Sequence, residues 1–200
     1  MITPIPAEGD MSRFENIDGR FVEVPARMVR LKRDAKNCPI PHCTEPTDGK
    51  PRLDPNMVVD CLLQKRCWIC NDKLGAHKAF LVEPVCAITR TSILPPAHLG
   101  CALFTANVRH PDGVTMIYVA KTFEVTKTSM FRMGPSEDHY FRFQSREATA
   151  EEIVASIEKV FPELLASVGE NVDAQAALNA LHSNLLELIQ PSMKPRQVAI

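Results

Sequence analysis

Apolar residues recur at three- and four-residue steps in four stretches of the chain, and this spacing predicts four helices. The first begins at Asp54 and Pro55, because aspartate can accept free amide hydrogens and proline has no amide hydrogen to leave unpaired. It is expected to end near Arg66. The second, over residues 96 to 108, starts with prolines and continues with apolar residues at helical spacing.

The other two predicted helices lie in the C-terminal part of the chain. Thr149 and Glu152 have the spacing of a capping box, and the apolar stripe after them reaches Pro162, which is expected to end or bend the helix. The last helix is predicted over residues 172 to 190. Its narrow stripe consists of Ala174, Leu178, Leu181, Leu185 and Leu188. We expect this stripe to pack inside the molecule, with association through a partner helix as the alternative.

Short apolar runs between these helices predict an antiparallel sheet. Residues 78 to 82 and 85 to 92 are expected to form the two strands of a hairpin. Residues 114 to 126 are apolar on both faces, which is typical of a central strand. Residues 130 to 133 and 140 to 144 are expected to add two strands of an antiparallel meander.

The first fifty residues show little regular pattern. Residues 1 to 20 are expected to be a loosely held arm, and the prolines and turn residues of 37 to 51 predict turns. Between them lies a basic, partly apolar segment whose cations are Arg20, Arg27, Arg30, Lys32, Arg33 and Lys36. We expect an edge strand or loop whose cationic side chains lie along the core, with contact to phosphate or a partner as the alternative.

Composition narrows the class of protein. A formal net charge of -1 over 200 residues gives no overall field that would attract nucleic acid or an anionic membrane. The seven cysteines are an odd number and include a C-x-x-C pair, which favours free thiols and metal binding over a disulfide framework. No signal-peptide pattern or spanning apolar run is present, so we expect a cytoplasmic protein without a membrane partner.

Two pairs of residues have the spacing of zinc-ligand half-sites. Cys67 and Cys70 bound C-W-I-C, and His98 and Cys101 bound H-L-G-C at the start of the second predicted helix, where residues three apart share a face. Zinc takes four nitrogen or sulfur donors in a tetrahedron, and the loss of one should unfold the region. We therefore expect structural Zn²⁺, with the knuckle, hairpin and helix in the order of a treble-clef zinc finger.

Other interpretations of the cysteines stay open at this point. Cys86 could replace one ligand by spacing alone, although its simplest interpretation is a small buried residue between strands. Cys38, His42 and Cys43 could form half of a second site. A redox C-x-x-C would need a helix start nearby, but the residues after Cys70 predict a turn.

Together these elements predict an α+β protein, with a treble-clef-like zinc module joined to a small antiparallel sheet and C-terminal helices. We divide the chain into an N-terminal arm and basic segment (1 to 36), a zinc-binding module (37 to 110), a sheet with two helices (111 to 190) and a tail (191 to 200). The second and third parts are expected to form one compact unit. The tail is expected to be disordered.

The stretch K-R-C-W-I-C-N-D-K-L-G, followed by E-P-V-C-A-I-T-R and P-P-A-H-L-G-C, resembles a family of uncharacterised phage and bacterial proteins. Those proteins show C-W-x-C-G-x-x-L-G, G-P-M-C-x-x-N-R and P-P-S-H-x-x-C, and the similarity covers about residues 38 to 168. The resemblance implies a zinc-binding protein with no known activity. The matching donors are Cys67, Cys70, Cys86, His98 and Cys101. Asn71 and Thr89 depart from the family's glycine and asparagine.

No phosphate loop, nucleotide fingerprint or serine-nucleophile motif is present, and four protein ligands would leave zinc no open position. We expect a non-enzymatic phage or mobile-element protein that binds a host or phage protein in the host cytoplasm, as an inhibitor or regulator. The alternatives are a zinc-finger nucleic-acid-binding protein, a nuclease-related enzyme, and self-association through the last helix. Candidate residues for contact with nucleic acid or a partner are Arg27, Arg30, Lys32, Arg33, Lys65 and Arg66.

Overall fold

A computed structural model describes residues 12–47, 50–109 and 113–189. The strands are β1 (Arg13–Ile17), β2 (Arg20–Val24), β3 (Thr44–Thr47), β4 (Lys50–Leu53), β5 (Lys78–Val82), β6 (Thr91–Ser92), β7 (Val114–Ala120), β8 (Phe123–Val125), β9 (Phe131–Met133), β10 (Ser136–Phe143) and β11 (Arg146–Glu147). The helices are α1 (Ala26–Val29), α2 (Pro55–Leu63), α3 (Cys86–Thr89), α4 (Leu99–Arg109), α5 (Ala150–Ser167) and α6 (Val172–Ile189). This mixture of helices and antiparallel strands confirms the α+β class. The predicted tail and residues 1 to 11 of the predicted arm lie outside the described residues.

An antiparallel sheet with the strand order β11-β10-β7-β5 lies at the centre of the fold. All residues of β7 are buried, as expected for a strand that is covered on both faces. The predicted central strand is therefore confirmed. It ends at Ala120 instead of residue 126, because Lys121 and Thr122 turn the chain into β8.

Alternate residues of β7 face two different hydrophobic cores. Ile117 and Val119 belong to the first core, which also contains residues of the β1–β2 hairpin, the C-W-I-C segment and α4. Met116 and Tyr118 belong to the second core, which contains residues of α5 and α6. The sheet thus connects the predicted ligand region to the C-terminal helices. None of the helices in the described part of the chain is both long and apolar enough to cross a bilayer.

The predicted hairpin of residues 78 to 82 and 85 to 92 is wrong. β5 pairs with β7, whereas residues 85 to 92 contain α3 and β6. The amide of Cys86 donates to the Glu83 carbonyl in the first of three successive turn hydrogen bonds, and Arg90 ends the short helix with a φ of 52°. A short apolar run cannot by itself distinguish a buried strand from a buried helical turn, which explains the error.

The predicted meander is divided between two sheets. β10 pairs with β7, whereas β9 lies between β6 and β8 in a separate three-stranded sheet. Gly134 connects β9 to β10, and its amide donates to the Thr122 carbonyl at 2.9 Å. A Cβ atom at Gly134 would lie 2.9 Å from that carbonyl oxygen, so the two segments approach too closely for a larger residue.

The N-terminal region has more regular structure than predicted. β1 and β2 form a hairpin in which Ile17 pairs with Arg20, and Asp18 and Gly19 make the turn with φ values of 51° and 78°. Asp-Gly is a favoured sequence for this turn because both of its central residues need positive φ. The loose-arm prediction is therefore wrong for β1. The turn prediction for residues 37 to 51 is likewise wrong for β3 and β4, which pair as a second hairpin.

Helix α2 begins as predicted. The Asp54 carboxylate accepts hydrogen bonds from the amides of Asn56 and Met57, so the N-cap is confirmed. The helix ends at Leu63, before the predicted end near residue 66, because Lys65 adopts a φ of 53°, which no α-helix can contain.

Helix α4 begins at Leu99, later than the predicted residue 96. The reason is the extended backbone of Ala97, which exchanges two hydrogen bonds of 2.8 Å with Ala79 at the start of β5. These bonds hold the segment before α4 against the central sheet.

Helices α5 and α6 enclose the second core. The capping box of Thr149 and Glu152 is confirmed. α5 continues through Pro162, which is exposed, so the carbonyl that loses its amide partner can bond to water. α6 packs against α3 and α5 and buries Leu185 of its predicted stripe, together with Ile189, which lies outside the stripe. Leu181 of the stripe is 45% exposed, so intramolecular packing is confirmed only for part of it.

Candidate metal centre

Cys67 and Cys70, the first predicted ligand pair, lie in a tight turn of residues 67 to 72, which we call the ligand turn. The amide of Asn71 donates to the Cys67 carbonyl at 2.9 Å, and the amide of Cys67 donates to the Asp72 carbonyl at 2.8 Å. Asn71 adopts a φ of 64°, a conformation that glycine favours and that asparagine tolerates better than most residues. Asparagine is therefore compatible with the left-handed backbone of this turn.

The second pair lies at the start of α4. His98 precedes the first helical residue, and its carbonyl accepts the amide of Ala102 at 2.9 Å. Cys101 follows on the first turn of the helix, three residues later, which places it on the same side as His98.

The structure brings the four predicted ligands together. The Sγ atoms of Cys67, Cys70 and Cys101 and a ring nitrogen of His98 all lie within 4.8 Å of one another, and no other such group occurs in the described ranges. The three thiols are at most 1% exposed and are not in disulfides. A tetrahedral ion with bonds of about 2.3 Å to sulfur holds its sulfur ligands about 3.8 Å apart. The cluster therefore has the donor set and the size for a metal ion.

The hydrogen bonds of His98 determine which ring nitrogen could bind a metal. Nε2 lies 3.0 Å from the backbone carbonyl of Lys73, which can only accept, so Nε2 carries a hydrogen and donates it. Nδ1 lies 3.3 Å from the Sγ atom of Cys70, inside the cluster. In the neutral ring with Nε2 protonated, the lone pair of Nδ1 is free for a metal, and the carbonyl fixes the orientation of the ring.

Contacts within the cluster move the pKa values of the Cys67 and Cys101 thiols in opposite directions. Burial opposes ionisation of Cys67, but hydrogen bonds from the side chains of Cys101 and Cys70 outweigh it and lower the pKa of the Cys67 thiol to about 3. The hydrogen bond to Cys67 is the largest cause that raises the pKa of Cys101, followed by the bond to Cys70 and by burial. Zinc and similar metals bind cysteine as the thiolate, so binding at this cluster would displace protons from its thiols.

Two of the predicted partner-binding residues, Arg27 and Arg30, contact the turn that carries Cys67 and Cys70. Arg30 bonds to the Asp72 carboxylate, and Arg27 NH1 lies 3.6 Å from the same group. Because the Asp72 carbonyl accepts the Cys67 amide, these pairs tie α1 to the turn. Both arginines are more than half exposed, so each pair contributes only about 0–1 kcal/mol to stability. The sequence signal that could have found this contact is the acidic residue directly after C-W-I-C-N.

The remaining basic candidates have different surroundings. Arg33 NH2 lies 2.9 Å from Glu15 on β1, an ion pair that sequence analysis did not predict. Lys32 is exposed. Lys65 and Arg66 line a cavity beside the ligand turn.

The other cysteines lie outside the cluster. Cys86, the predicted alternative ligand, heads α3 and packs against the second core, where burial raises the pKa of its thiol. The Sγ atom of Cys43 lies 2.9 Å from that of Cys61, and no third ligand joins them among the described residues. Cys38 and His42 likewise belong to no such group in these parts of the chain, so the second predicted half-site is not formed.

Comparison with known proteins identifies no relative. No family model, no curated protein and no solved structure matches the chain.

Proposed function

We propose that Cys67, Cys70, His98 and Cys101 hold a structural zinc ion that joins the C-W-I-C turn to the start of α4. The observation that carries this proposal is the orientation of His98, with its outer nitrogen bonded to a carbonyl and its inner nitrogen among three sulfur atoms. Thiolates and imidazole favour zinc over magnesium and calcium, which prefer oxygen ligands. Bound zinc would link segments that are 28 residues apart in the chain.

We further propose that this is a treble-clef-like arrangement with an altered middle element. The knuckle, a strand and the start of a helix follow one another in the order of that motif. β5 and its bridge to Ala97 would take the place of the usual hairpin between the two ligand pairs.

A non-enzymatic role is consistent with this ligand set. Four protein ligands leave no position for a water molecule that zinc could activate. The near-complete burial of the three thiols supports a closed site. The metal would then stabilise the fold, and the protein would act through a binding site on its surface.

We propose that the β1–β2 hairpin presents a binding surface to a protein partner. Phe14 and Phe21 are 73% and 78% exposed. Phe21 pairs with Asn16, two residues from Phe14, so both rings lie on the same face of the hairpin. Ile17 and Val24 on the other face are buried in the first core. Exposed aromatic residues held on a rigid element are typical of protein interfaces.

A regulator or inhibitor from a phage or mobile element, acting in the host cytoplasm, is the biological context that the family resemblance suggests. The net charge of -1 supports a protein partner over nucleic acid. The ion pairs of Arg27, Arg30 and Arg33 support it as well, because paired guanidinium groups are less available to phosphates.

Native mass spectrometry of protein purified without chelator tests the metal proposal. We expect the mass of one zinc ion per chain. Cys67→Ser should lose both the zinc and the cooperative thermal unfolding of the first core, whereas Cys86→Ser should keep both. A folded, reduced protein without metal would contradict the proposal.

Affinity capture from a host lysate tests the protein partner. A specific captured protein should be lost with Phe14→Ser/Phe21→Ser, whose folding can be checked by its zinc content. Lys159→Gln on α5 is a surface control that should retain the captured protein. A DNA or RNA mobility shift that weakens with salt and disappears in Arg30→Gln/Arg33→Gln would favour the nucleic-acid alternative instead.

A further inference from the structure

A cavity of about 420 Å³ lies between the end of α2, the start of β5 and the turn from β7 to β8. Lys65, Arg66, Lys78 and Lys121 line it, and none of its lining residues in the described part of the chain is acidic. Its volume falls within the range of about 300–1,000 Å³ that is typical of small-molecule sites. The cavity therefore has the size and the charge to hold an anion.

Within the described residues, an ion pair neutralises only one of these four cations. Lys121 Nζ lies 2.8 Å from Glu137 Oε2, but Lys65, Arg66 and Lys78 belong to none of the ion pairs found in residues 12–47, 50–109 and 113–189. The C-terminal end of α2 contributes only about half a negative charge. Three cations are therefore uncompensated, which favours a ligand with at least two negative charges.

Two of the cations are already oriented by the backbone. Lys78 Nζ donates to the carbonyls of Ala76 and Lys121, each at 2.9 Å, and an ammonium group has a third hydrogen to donate. Arg66 NH1 donates to the carbonyl of Asn71 at 2.9 Å, and a guanidinium group has further donors that suit the oxygens of a phosphate. The loss of side-chain freedom on binding would thus be small.

The rest of the wall is apolar. Leu62, Leu74, Pro96 and Phe123 line it, and the Phe123 ring is held edge-on to Phe80 with centroids 5.8 Å apart. Inorganic phosphate would leave this wall in water, whereas a flat organic ring would cover it.

We propose that this cavity binds a small organic phosphate with an aromatic ring, of the nucleoside monophosphate or diphosphate class. The phosphates contact Lys65, Arg66 and Lys78, and the ring packs on the apolar wall. This site is independent of the proposed partner surface on the β1–β2 hairpin. Because it borders the ligand turn, it is tested in the zinc-loaded protein.

Isothermal titration calorimetry with ADP, AMP, adenosine, pyrophosphate and a short oligothymidine tests the proposal. We expect ADP to bind once per chain, and Arg66→Gln and Lys78→Gln each to weaken binding by about tenfold or more, the loss expected from one charge-assisted hydrogen bond. Lys65→Gln changes an exposed residue, so it should fold normally and also weaken binding. Lys159→Gln makes the same charge change on α5 and should leave binding unchanged.

Other results of the same titrations would contradict the proposal. Absence of ADP binding, or an unchanged affinity in Lys65→Gln and Lys78→Gln proteins with wild-type zinc content, would overturn the site. Pyrophosphate binding as tight as that of ADP would overturn the role of the apolar wall. Binding of the oligothymidine without binding of ADP would make the cavity a nucleic-acid contact and overturn the nucleotide assignment.

Discussion

At the residue scale, the proposed metal site depends on His98, whose two ring nitrogens contact different groups. The Lys73 carbonyl holds Nε2, and this leaves Nδ1 directed to the thiols. Groups that orient a ligand in this way typically change metal affinity by about 10- to 100-fold when they are removed. Here the orienting group is a backbone carbonyl, so it depends on the path of the chain after the ligand turn and not on the side chain of Lys73.

Two substitutions of His98 test whether its side chain binds zinc or only packs beside the cysteines. His98→Gln should weaken zinc binding by more than about 100-fold, because one ligand accounts for about a quarter of the roughly 10–16 kcal/mol of structural zinc binding. His98→Cys supplies another ligand atom and should retain zinc more tightly than His98→Gln. Competition with a chromophoric chelator measures both affinities, and Cys86→Ser serves as the control that should match wild type. Equal affinities for His98→Gln and wild type would show that the histidine is not a ligand.

At the element scale, close contacts between distant segments determine the fold as much as the helix and strand patterns do. The turn after β9 contacts the turn after β7, where the amide of Gly134 donates to the carbonyl of Thr122. The apolar spacing of either segment says nothing about this contact. The same holds for β5, whose sequence suits a strand with any neighbour but which pairs with β7.

Two glycine substitutions should therefore change stability in opposite directions. Gly134→Ala should lower the free energy of unfolding by about 1–3 kcal/mol, because the added Cβ collides with Thr122. Gly100→Ala in α4 meets no atom within 4 Å and should raise it by about 0.5–1 kcal/mol. Urea unfolding monitored by circular dichroism measures both changes. A neutral Gly134→Ala would mean that the two turns can separate without cost.

The start of α5 should make stability depend on pH. The bond from Arg146, followed by the amide of Thr149, lowers the pKa of the Glu152 carboxyl to about 2. A lowered pKa in the folded state means that the contribution is complete above the ordinary carboxyl pKa of about 4.5 and is lost as the pH falls through about 2. The difference in free energy of unfolding between wild type and Glu152→Gln should follow this course in urea titrations. Arg146→Gln should reduce the same pH-dependent difference, and a difference that stays constant down to pH 2 would contradict the assignment.

At the scale of the whole molecule, one strand separates two cores, and only the first contains the cysteines of the proposed zinc site. The three ligand cysteines pack in the first core, whereas α5 and α6 pack in the second. Structural zinc contributes about 10–16 kcal/mol, as much as the net stability of a typical domain at about 5–15 kcal/mol. The first core should therefore depend on metal far more than the second.

Removal of the metal should expose this difference. After treatment with a chelator and a reductant, amide hydrogen exchange should increase strongly in residues 61 to 109 and much less in α5 and α6. Mass spectrometry of peptides from the exchanged protein measures the effect, and re-addition of zinc is the control that should restore protection. An equal increase in all regions would show that β7 couples both cores into one cooperative unit.

The sequence by itself determined the features that depend on a few neighbouring residues. These are the two ligand pairs, the N-cap at Asp54, the capping box at Thr149 and the buried character of β7. Each follows from the spacing of one helical turn or one strand, which local geometry fixes. The β1–β2 hairpin was missed although its Asp-Gly turn is a local signal of the same kind.

Only the tertiary structure decided which of these elements meet. The bond from Arg30 to Asp72 spans 42 residues, and the bond from Lys78 to the carbonyl of Lys121 spans 43. The cationic cavity and the support of the ligand turn both arise from contacts of this kind. Many alternative pairings satisfy the same local pattern, because that pattern does not specify the neighbour of a strand. Burial of apolar surface selects among them, and the observed arrangement buries every residue of β7.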